Sequence, residues 1–269
     1  VGGTEVTFEG EVKASFKQVS AGDYYSLGLT KDGAVYAWGY NLYGQLGDGT
    51  TTDRTTPTLV TALSGQTVTA VAGGGSHSLA LTSTGAVYAW GYNYYGQLGD
   101  GTTTSRTTPT LVTALSGQTV TAVAGGGSHS LALTSTGAVY AWGYNYYGQL
   151  GDGTTTSRTT PTLVTALSGQ TVTAVAGGGY HSLALTSTGA VYAWGANYSG
   201  RLGDGTTTNR STPTLVTALS GQTVTAVAAG SSHSLALTST GAVYAWGYNW
   251  AGQLGDGTTT QRNTPTLVT

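Results

Sequence analysis

The feature that most constrains this fold is an internal repeat of 52 residues. Residues 70–121 and 122–173 are identical at every position, residues 174–225 and 226–269 differ from them at a few positions, and residues 18–69 differ at more. A period of this length is typical of folds in which stacked units bury their apolar faces against their neighbours. Comparing five copies also shows which positions the unit keeps and which it varies.

Each repeat contains four short apolar stretches separated by Gly and Ser/Thr clusters. In the second copy they cover residues 68–72, 77–82, 86–90 and 108–114. Stretches this short are typical of strands rather than helices, and the clusters between them have the composition of turns. Pro109 begins the fourth stretch, where a missing N–H is tolerated, so we expect this strand to lie on the outside. The pattern predicts an all-β protein, a β-propeller of five four-stranded antiparallel blades.

The repeat boundaries divide the chain into a short N-terminal segment and five blades. The segment, residues 1–17, contains all three glutamates and both phenylalanines of the chain, so its composition differs from the rest. The blades are assigned to residues 18–69, 70–121, 122–173, 174–225 and 226–269.

The N-terminal segment also contains a surplus strand. Residues 5–9 align with residues 57–61 of the first copy, a fourth strand, and the chain closes on another such strand at residues 265–269. Three arrangements are left open: a closed five-blade ring with a reinforced seam, an arc of a larger ring, or a subunit that donates this strand to another chain. We expect the first. Unpaired edge strands are templates for association, so Val6 and Phe8 are the candidate assembly edge.

One motif in the repeat resembles a known family. The sequence GAVYAWGYNYYGQLGDG, followed by a proline-led strand and then by VxAGGxHSLAL, is similar to the repeat of RCC1-like (regulator of chromosome condensation type) propellers. It recurs five times between residues 33 and 257. The resemblance implies a propeller, although family members usually have seven blades. The family's founder is a GTPase exchange factor that docks on chromatin, and this chain lacks a basic tail for that role. The near-identical, Thr-rich copies look more like bacterial surface members.

Composition excludes several classes of partner. Charged residues make up only 7% of the chain and the net charge is −2, so no basic field is present to hold nucleic acid or an anionic membrane. No apolar run is long enough to insert into a bilayer. Cysteine and methionine are both absent, which favours an oxidising, extracellular or cell-surface location.

The copies differ mainly in the loops of one face. We name the strands of a blade a to d in chain order; in an antiparallel meander the a–b and c–d loops share one face, called here the variable face. These loops change between copies and are rich in Tyr and Trp, whereas the b–c turns and d–a linkers hardly change. Aromatic loops on a rigid scaffold are typical of recognition surfaces, although long loops also drift when nothing constrains them. The candidate binding residues are Tyr24, Tyr40, Tyr43, Tyr92, Tyr94, Tyr95, Tyr144, Tyr146, Tyr147, Tyr180, Tyr198, Arg201, Tyr248 and Trp250.

Other recurring polar residues are interpreted as structural. The histidine that recurs in the last four a–b loops (His77, His129, His181 and His233, with Tyr25 in the first copy) is expected to be a hydrogen-bonding strut rather than a metal ligand. The Asp of Leu-Gly-Asp-Gly is expected to cap its own turn and to pair with the Arg six residues later. The recurring tryptophans are expected to pack between blades. The sequence contains no catalytic motif and no phosphate-cradling loop, so no enzyme activity, cofactor or metal is expected.

These observations predict a non-enzymatic extracellular module that binds a protein or a carbohydrate through its variable face. The alternative is a structural subunit of a surface layer or filament, which would self-associate through the N-terminal edge strand.

Overall fold

The structure, a computed structural model, describes residues 15–269 and is built from short antiparallel strands. They form five four-stranded sheets, each with its strands in chain order. This confirms the prediction of an all-β fold with five four-stranded blades. The strands are β1 Phe16–Ala21, β2 Tyr25–Thr30, β3 Val35–Gly39, β4 Arg54–Leu59, β5 Val68–Gly73, β6 His77–Thr82, β7 Val87–Gly91, β8 Arg106–Leu111, β9 Val120–Gly125, β10 His129–Thr134, β11 Val139–Gly143, β12 Arg158–Leu163, β13 Val172–Gly177, β14 His181–Thr186, β15 Val191–Gly195, β16 Arg210–Leu215, β17 Val224–Ala229, β18 His233–Thr238, β19 Val243–Gly247 and β20 Arg262–Leu267.

The d strand differs in position from the prediction. In the second blade it begins at Arg106 rather than at residue 108, so Pro109 lies inside the strand. The register between β7 and β8 shifts between Ala89 and Gly91, close to the proline's position on the facing strand. A residue without an N–H is accommodated here because the d strand is an outer edge that pairs on one side only.

The d–a linkers are tied to the b–c turns on the face opposite the variable face. Each linker contains one turn of 3₁₀ helix, whose leucine is buried. The Ser83 N–H of one b–c turn donates to the Thr67 carbonyl of the preceding linker at 2.8 Å, and later blades repeat the bond. These shared bonds explain why the sequence hardly changes on this face. The 3₁₀ turns are Thr61–Leu63, Thr113–Leu115, Thr165–Leu167 and Thr217–Leu219.

The hydrophobic core lies between successive blades. Leu27, Leu29 and Val35 of the first blade pack against Val71 and Trp90 of the second, and later blades repeat this pattern. The Trp90 ring is fully buried, and its Nε1–H donates to a carbonyl of the preceding blade at 2.9 Å. Trp90, Trp142, Trp194 and Trp246 therefore pack between blades, as predicted, whereas Trp38 of the first blade is half-buried.

Near the centre, the a strands approach one another through glycines. A Cβ atom on Gly125 would lie 2.7 Å from the Gly73 carbonyl oxygen of the preceding blade, and one on Gly177 would lie 2.8 Å from that of Gly125. Real Cβ atoms do not come this close to backbone, so a side chain at Gly125 or Gly177 would force the neighbouring a strands to shift apart. The fifth blade carries Ala229 at the equivalent position.

The expected closed five-blade ring is wrong for residues 15–269. Inner strands pack in the four successive blade pairs, and no comparable packing joins the fifth blade to the first. Leu237 of the fifth blade is 40% exposed, whereas its equivalents Leu81 and Leu185 are each 3% exposed. On the first blade, Val19 is 71% exposed and its equivalent Val71 only 2%. The described blades therefore form an open arc whose two end faces are not covered by another blade.

The surplus N-terminal strand at residues 5–9, with its candidate assembly edge Val6 and Phe8, lies outside the described residues. In the described part of the chain, no helix has the length and apolar character needed to cross a bilayer.

Candidate functional site

The variable face is held together by one backbone bond that recurs in every blade. The Tyr92 N–H of the c–d loop donates to the Ser76 carbonyl of the a–b loop at 2.9 Å. The same bond joins Tyr40 to Tyr24, and Ala196 to Tyr180. The a–b and c–d loops therefore do lie together, so the positions that vary between copies are neighbours in space.

Each c–d loop is folded around a buried asparagine and aspartate. In the second blade, Asn93 Nδ2 donates to the Asp100 carboxylate and to the Thr102 and Thr104 carbonyls, at 3.0–3.2 Å. Asp100 also accepts from the Thr102 backbone and pairs with Arg106 at 2.8 Å. Burial acts to raise the pKa of Asp100, but the bonds from Thr102 and Arg106 outweigh it and hold the pKa below its ordinary value. The expected Asp–Arg clip is thus confirmed as a structural feature.

Nine of the predicted tyrosines form one continuous strip, called here the tyrosine belt. It crosses the first four blades because the last tyrosine of one c–d loop packs on the first tyrosine of the next. Tyr43 and Tyr92 have ring centroids 4.6 Å apart, and Tyr95 and Tyr144 have them 4.5 Å apart. Tyr180 lies 5.4 Å from Tyr147 and extends the strip to the fourth blade. The belt consists of Tyr43, Tyr92, Tyr94, Tyr95, Tyr144, Tyr146, Tyr147, Tyr180 and Tyr198.

The belt has a supporting row and an exposed row. Tyr92 and Tyr144 are half-buried, and burial with neighbouring tyrosines raises the pKa of both phenols. Tyr94 is 66% exposed, Tyr146 67% and Tyr198 54%. The exposed rings lean on the half-buried ones, so much of the aromatic surface that faces solvent is held in place before any partner arrives. Such preorganisation reduces the entropy lost on binding.

Four of the predicted aromatic residues lie outside the belt. Tyr24 and Tyr40 form a separate edge-on pair at 6.3 Å in the first blade. Tyr248 and Trp250 of the fifth blade are exposed, and within residues 15–269 no other aromatic ring packs on either. The fourth blade carries Ser199 where the first three loops carry the tyrosine that reaches the next blade, and this breaks the strip. The structure therefore does not bring Tyr248 and Trp250 into the belt.

Arg201 is the candidate whose environment differs most from a surface loop. It is only 1% exposed, and its guanidinium carbon lies 4.1 Å from the centroid of the Tyr198 ring. Its Nη2–H donates to Ser199 Oγ at 2.8 Å, and its Nη1–H donates to the Ser231 carbonyl of the fifth blade at 3.1 Å. The side chain thus links the end of the tyrosine belt to the a–b loop of the next blade.

The sequence analysis missed a central cavity of about 590 Å³ on the variable face. It is lined by the glycine-rich a–b loops of all five blades and by Asp23, Tyr43, Tyr92 and Tyr180. The Gly-Gly-Gly sequence at the end of the a strand is the signal that could have indicated this cavity. Glycines leave space near the propeller axis because they have no side chains to fill it.

The recurring histidines join blades. His129 is fully buried, and its Nε2 lies 2.9 Å from Ser182 Oγ of the next blade. Because the Ser182 hydroxyl donates its own proton to the Gln149 carbonyl at 2.8 Å, the histidine must donate from Nε2, and its Nδ1 carries no proton. Burial, with His77 nearby, lowers the pKa of His129 to about 3. The strut prediction is confirmed; in the described part of the chain, no three His, Asp or Glu side chains converge as a metal site would require.

Comparisons with known proteins agree with this architecture. Residues 5–269 match the RCC1-like domain. The chain is 38% identical to the ultraviolet-B receptor UVR8 of Arabidopsis thaliana, over 94% of this chain and 57% of the receptor. It is 41% identical to the human E3 ubiquitin-protein ligase HERC2, over 93% of this chain and 5% of the ligase. The crystal structure of Prp20p from Saccharomyces cerevisiae superposes with a TM-score of 0.82 at 27% identity, covering 94% of this chain and 63% of Prp20p.

The chain spans just over half of the plant receptor and a small part of the ligase. The ligase activity belongs to a protein of which this region is a twentieth, so it does not transfer to the propeller. The match covers every blade of the arc. The chain is therefore a member of the RCC1-like domain family.

Proposed function

We propose that this propeller is a non-catalytic interaction module that binds a protein partner through the tyrosine belt. The observation that carries the proposal is the belt itself, an exposed aromatic row supported by a half-buried one. Tyrosine rings supply large contact areas with little loss of side-chain freedom, and their hydroxyls add hydrogen bonds.

The relatives indicate a protein-interaction module. Prp20p was characterised for its binding to Gsp1p and histones, and yeast RCC1 (Prp20) was crystallised with Kap60. This chain has a net charge of only −2 and 7% charged residues, so the proposal rests on aromatic contacts rather than on attraction to a highly charged partner. We also place the module outside the cell or on its surface, because it contains neither cysteine nor methionine.

A carbohydrate ligand is the alternative for the same surface, since exposed aromatic faces also stack on apolar sugar faces. One experiment distinguishes a protein partner from a carbohydrate ligand. The purified propeller is tested on a glycan array and, immobilised, against protein extracts of its source organism. Specific glycan binding with no protein captured would replace the protein proposal.

The belt is tested by the triple change Tyr94→Ala, Tyr146→Ala and Tyr198→Ala. These rings are exposed and contribute little to the core, so the variant is expected to fold. The matched control changes three exposed residues on the opposite face, Thr84→Ala, Thr136→Ala and Thr188→Ala. We expect proteins captured by the parent to be lost with the belt variant and retained with the control. Equal capture by both variants would contradict the proposal.

A second candidate function is self-assembly into a surface layer or filament. It is favoured by the uncovered face of the fifth blade, where Leu237 is exposed although its equivalents are buried. Exposed apolar faces of this kind promote association. Sedimentation velocity of the parent and of a Leu237→Lys variant tests it. A parent that forms concentration-dependent oligomers which the variant loses would support assembly, and a monomeric parent would exclude it.

A further inference from the structure

Changes between the copies converge in space at the junction of the fourth and fifth blades. Four residues here break the repeat, and each replaces a different residue of the second blade. Tyr180 stands where a serine is usual, Ser199 where a tyrosine is usual, Arg201 where a glutamine is usual and Ser231 where a glycine is usual. They lie in three separate segments of the chain, yet Arg201 contacts both serines directly. Arg201 thus joins the altered c–d loop of the fourth blade to the altered a–b loop of the fifth.

Arg201 carries a buried positive charge at this junction and has no negatively charged partner among its contacts. The hydrogen-bond acceptors of Arg201 are a serine hydroxyl and a backbone carbonyl, both neutral. The ion pairs within residues 15–269 are the five Asp–Arg clips of the c–d loops, and Arg201 takes part in none of them. Burial lowers the pKa of Arg201, while nearby tyrosines act in the opposite direction. A buried cation in this state gains when an anion comes into contact with it.

The surroundings of Arg201 leave a way in for a ligand. Tyr198 covers the face of the guanidinium and is itself 54% exposed, so it can swing outward on the timescale of surface side chains. Ser199, much smaller than the tyrosine at this position in the first three blades, is itself buried beside Arg201, so Tyr198 is the exposed group that covers the guanidinium. Tyr180 and Ser231 line the central cavity, which brings the solvent-filled space close to the guanidinium.

We propose that Arg201 binds a carboxylate of the partner, an Asp or Glu side chain of an acidic peptide segment that lies along the tyrosine belt. The inference rests on the proposed function and specifies the partner's chemistry. A carboxylate matches the planar N–H edge of a guanidinium and forms charge-assisted hydrogen bonds with it. Within residues 15–269 no carboxylate forms an ion pair with Arg201, and Asp23 is the acidic residue that lines the central cavity. The belt would hold the peptide, and Arg201 would fix its position.

The test is an NMR titration of the folded propeller with acetyl-Gly-Asp-Glu-Asp-Gly-amide. The matched probe replaces each Asp by Asn and the Glu by Gln, which removes the charge and keeps the shape. We expect the acidic peptide to shift the backbone amide signals of Ser199, Arg201 and Ser231 in a saturable manner. The neutral probe should not shift them.

The key variant is Arg201→Gln, which restores the residue present in the other four blades and is therefore expected to fold. Its apparent affinity for the acidic peptide should fall about tenfold, the loss expected for a hydrogen bond to a charged group. A response to the acidic peptide that Arg201→Gln keeps, or that the neutral probe reproduces, would overturn the proposal. An absence of any shift in the parent would also overturn it.

Two further arms separate this inference from its alternatives. Inorganic phosphate that shifts the same signals when the acidic peptide does not would indicate a small-anion site and would contradict the peptide assignment. Tyr94→Ala, in the second blade, should keep the local response at Arg201. If the belt variants still capture protein while Arg201→Gln loses the peptide, the belt proposal fails and the arginine site stands.

Discussion

Acid should weaken this propeller in a defined pH window, because its buried histidines must stay neutral. Burial lowers the pKa of His77 to about 4 and that of His129 to about 3, against an ordinary value of 6.5. His181 is shifted in the same direction. Below pH 6.5 these histidines therefore become protonated in the unfolded chain while they stay neutral in the folded one. The free energy of unfolding accordingly falls as the pH falls. From pH 7 to pH 5, His77 and His129 should each remove about 2 kcal/mol.

The repeat provides a substitution that isolates this effect. In the first blade Tyr25 occupies the histidine position, and its hydroxyl accepts from Ser78 Oγ at 3.0 Å. His129→Tyr should therefore preserve a bond to Ser182 while removing the titratable imidazole. At pH 7 we expect the variant to lie within about 1.5 kcal/mol of the parent, as for a tolerated core exchange. Between pH 7 and pH 5 it should lose about 2 kcal/mol less than the parent.

The assay is equilibrium urea unfolding followed by tryptophan fluorescence at both pH values. The clip aspartates do not confuse the result, because carboxylates of ordinary pKa near 4 in the unfolded chain take up protons only at lower pH. His233→Tyr is the control, because His233 is partly exposed and its pKa is less strongly lowered. If parent and His129→Tyr lose the same stability between pH 7 and pH 5, the buried neutral strut is not the source of the acid sensitivity.

Three further predictions use equivalent positions as controls. Trp142→Ala should lower the free energy of unfolding by about 3–5 kcal/mol. Trp38→Ala should lower it less, because Trp38 is half-buried and Trp142 fully buried, and urea unfolding compares the two. Leu185→Lys should abolish folding, whereas Leu237→Lys should leave the circular dichroism spectrum unchanged, because Leu185 is 3% exposed and Leu237 is 40% exposed. The same outcome for both variants would mean that the fifth blade is covered. Asp152→Asn should speed tryptic cleavage after Arg158, because it removes the 2.8 Å ion pair that closes the loop; an unchanged rate would show that the clip is dispensable.

The fold was predictable because the same pattern of strands and turns recurs in five copies of the repeat. Strand length, the turn clusters and the proline of the d strand each depend on local chemistry, which the sequence displays directly. The first residue of the d strand was harder to predict from the sequence. The strand begins at Arg106 because its backbone pairs with Gly91, and the loop between the two residues sets this pairing. Closure was not predictable, because it depends on the angle between packed blades. The close approach of backbones such as those of Gly73 and Gly125 is a property of the packed blades, and the composition of one repeat does not reveal it.

The candidate site was predictable in kind and only partly in membership. Comparison of the copies identified the variable face and its tyrosines, since drift is visible without coordinates. It could not separate Tyr146, which joins the belt, from Trp250, which does not, because joining depends on the ring presented by the neighbouring blade. The state of Arg201 was also hidden: a basic residue in a variable loop suggests an exposed side chain, and the small Ser199 beside it is what allows burial.

The central claim is that partners bind the tyrosine belt and not the opposite face. Site-specific photo-crosslinking tests it most directly. A photoreactive phenylalanine analogue is placed at Tyr146 in the belt and, in a second protein, at Thr136 in the exposed b–c turn of the same blade. Each is irradiated in protein extracts of the source organism, and the adducts are identified by mass spectrometry. We expect a discrete protein adduct from position 146 and none from position 136; adducts from position 136 alone would show that partners bind the opposite face.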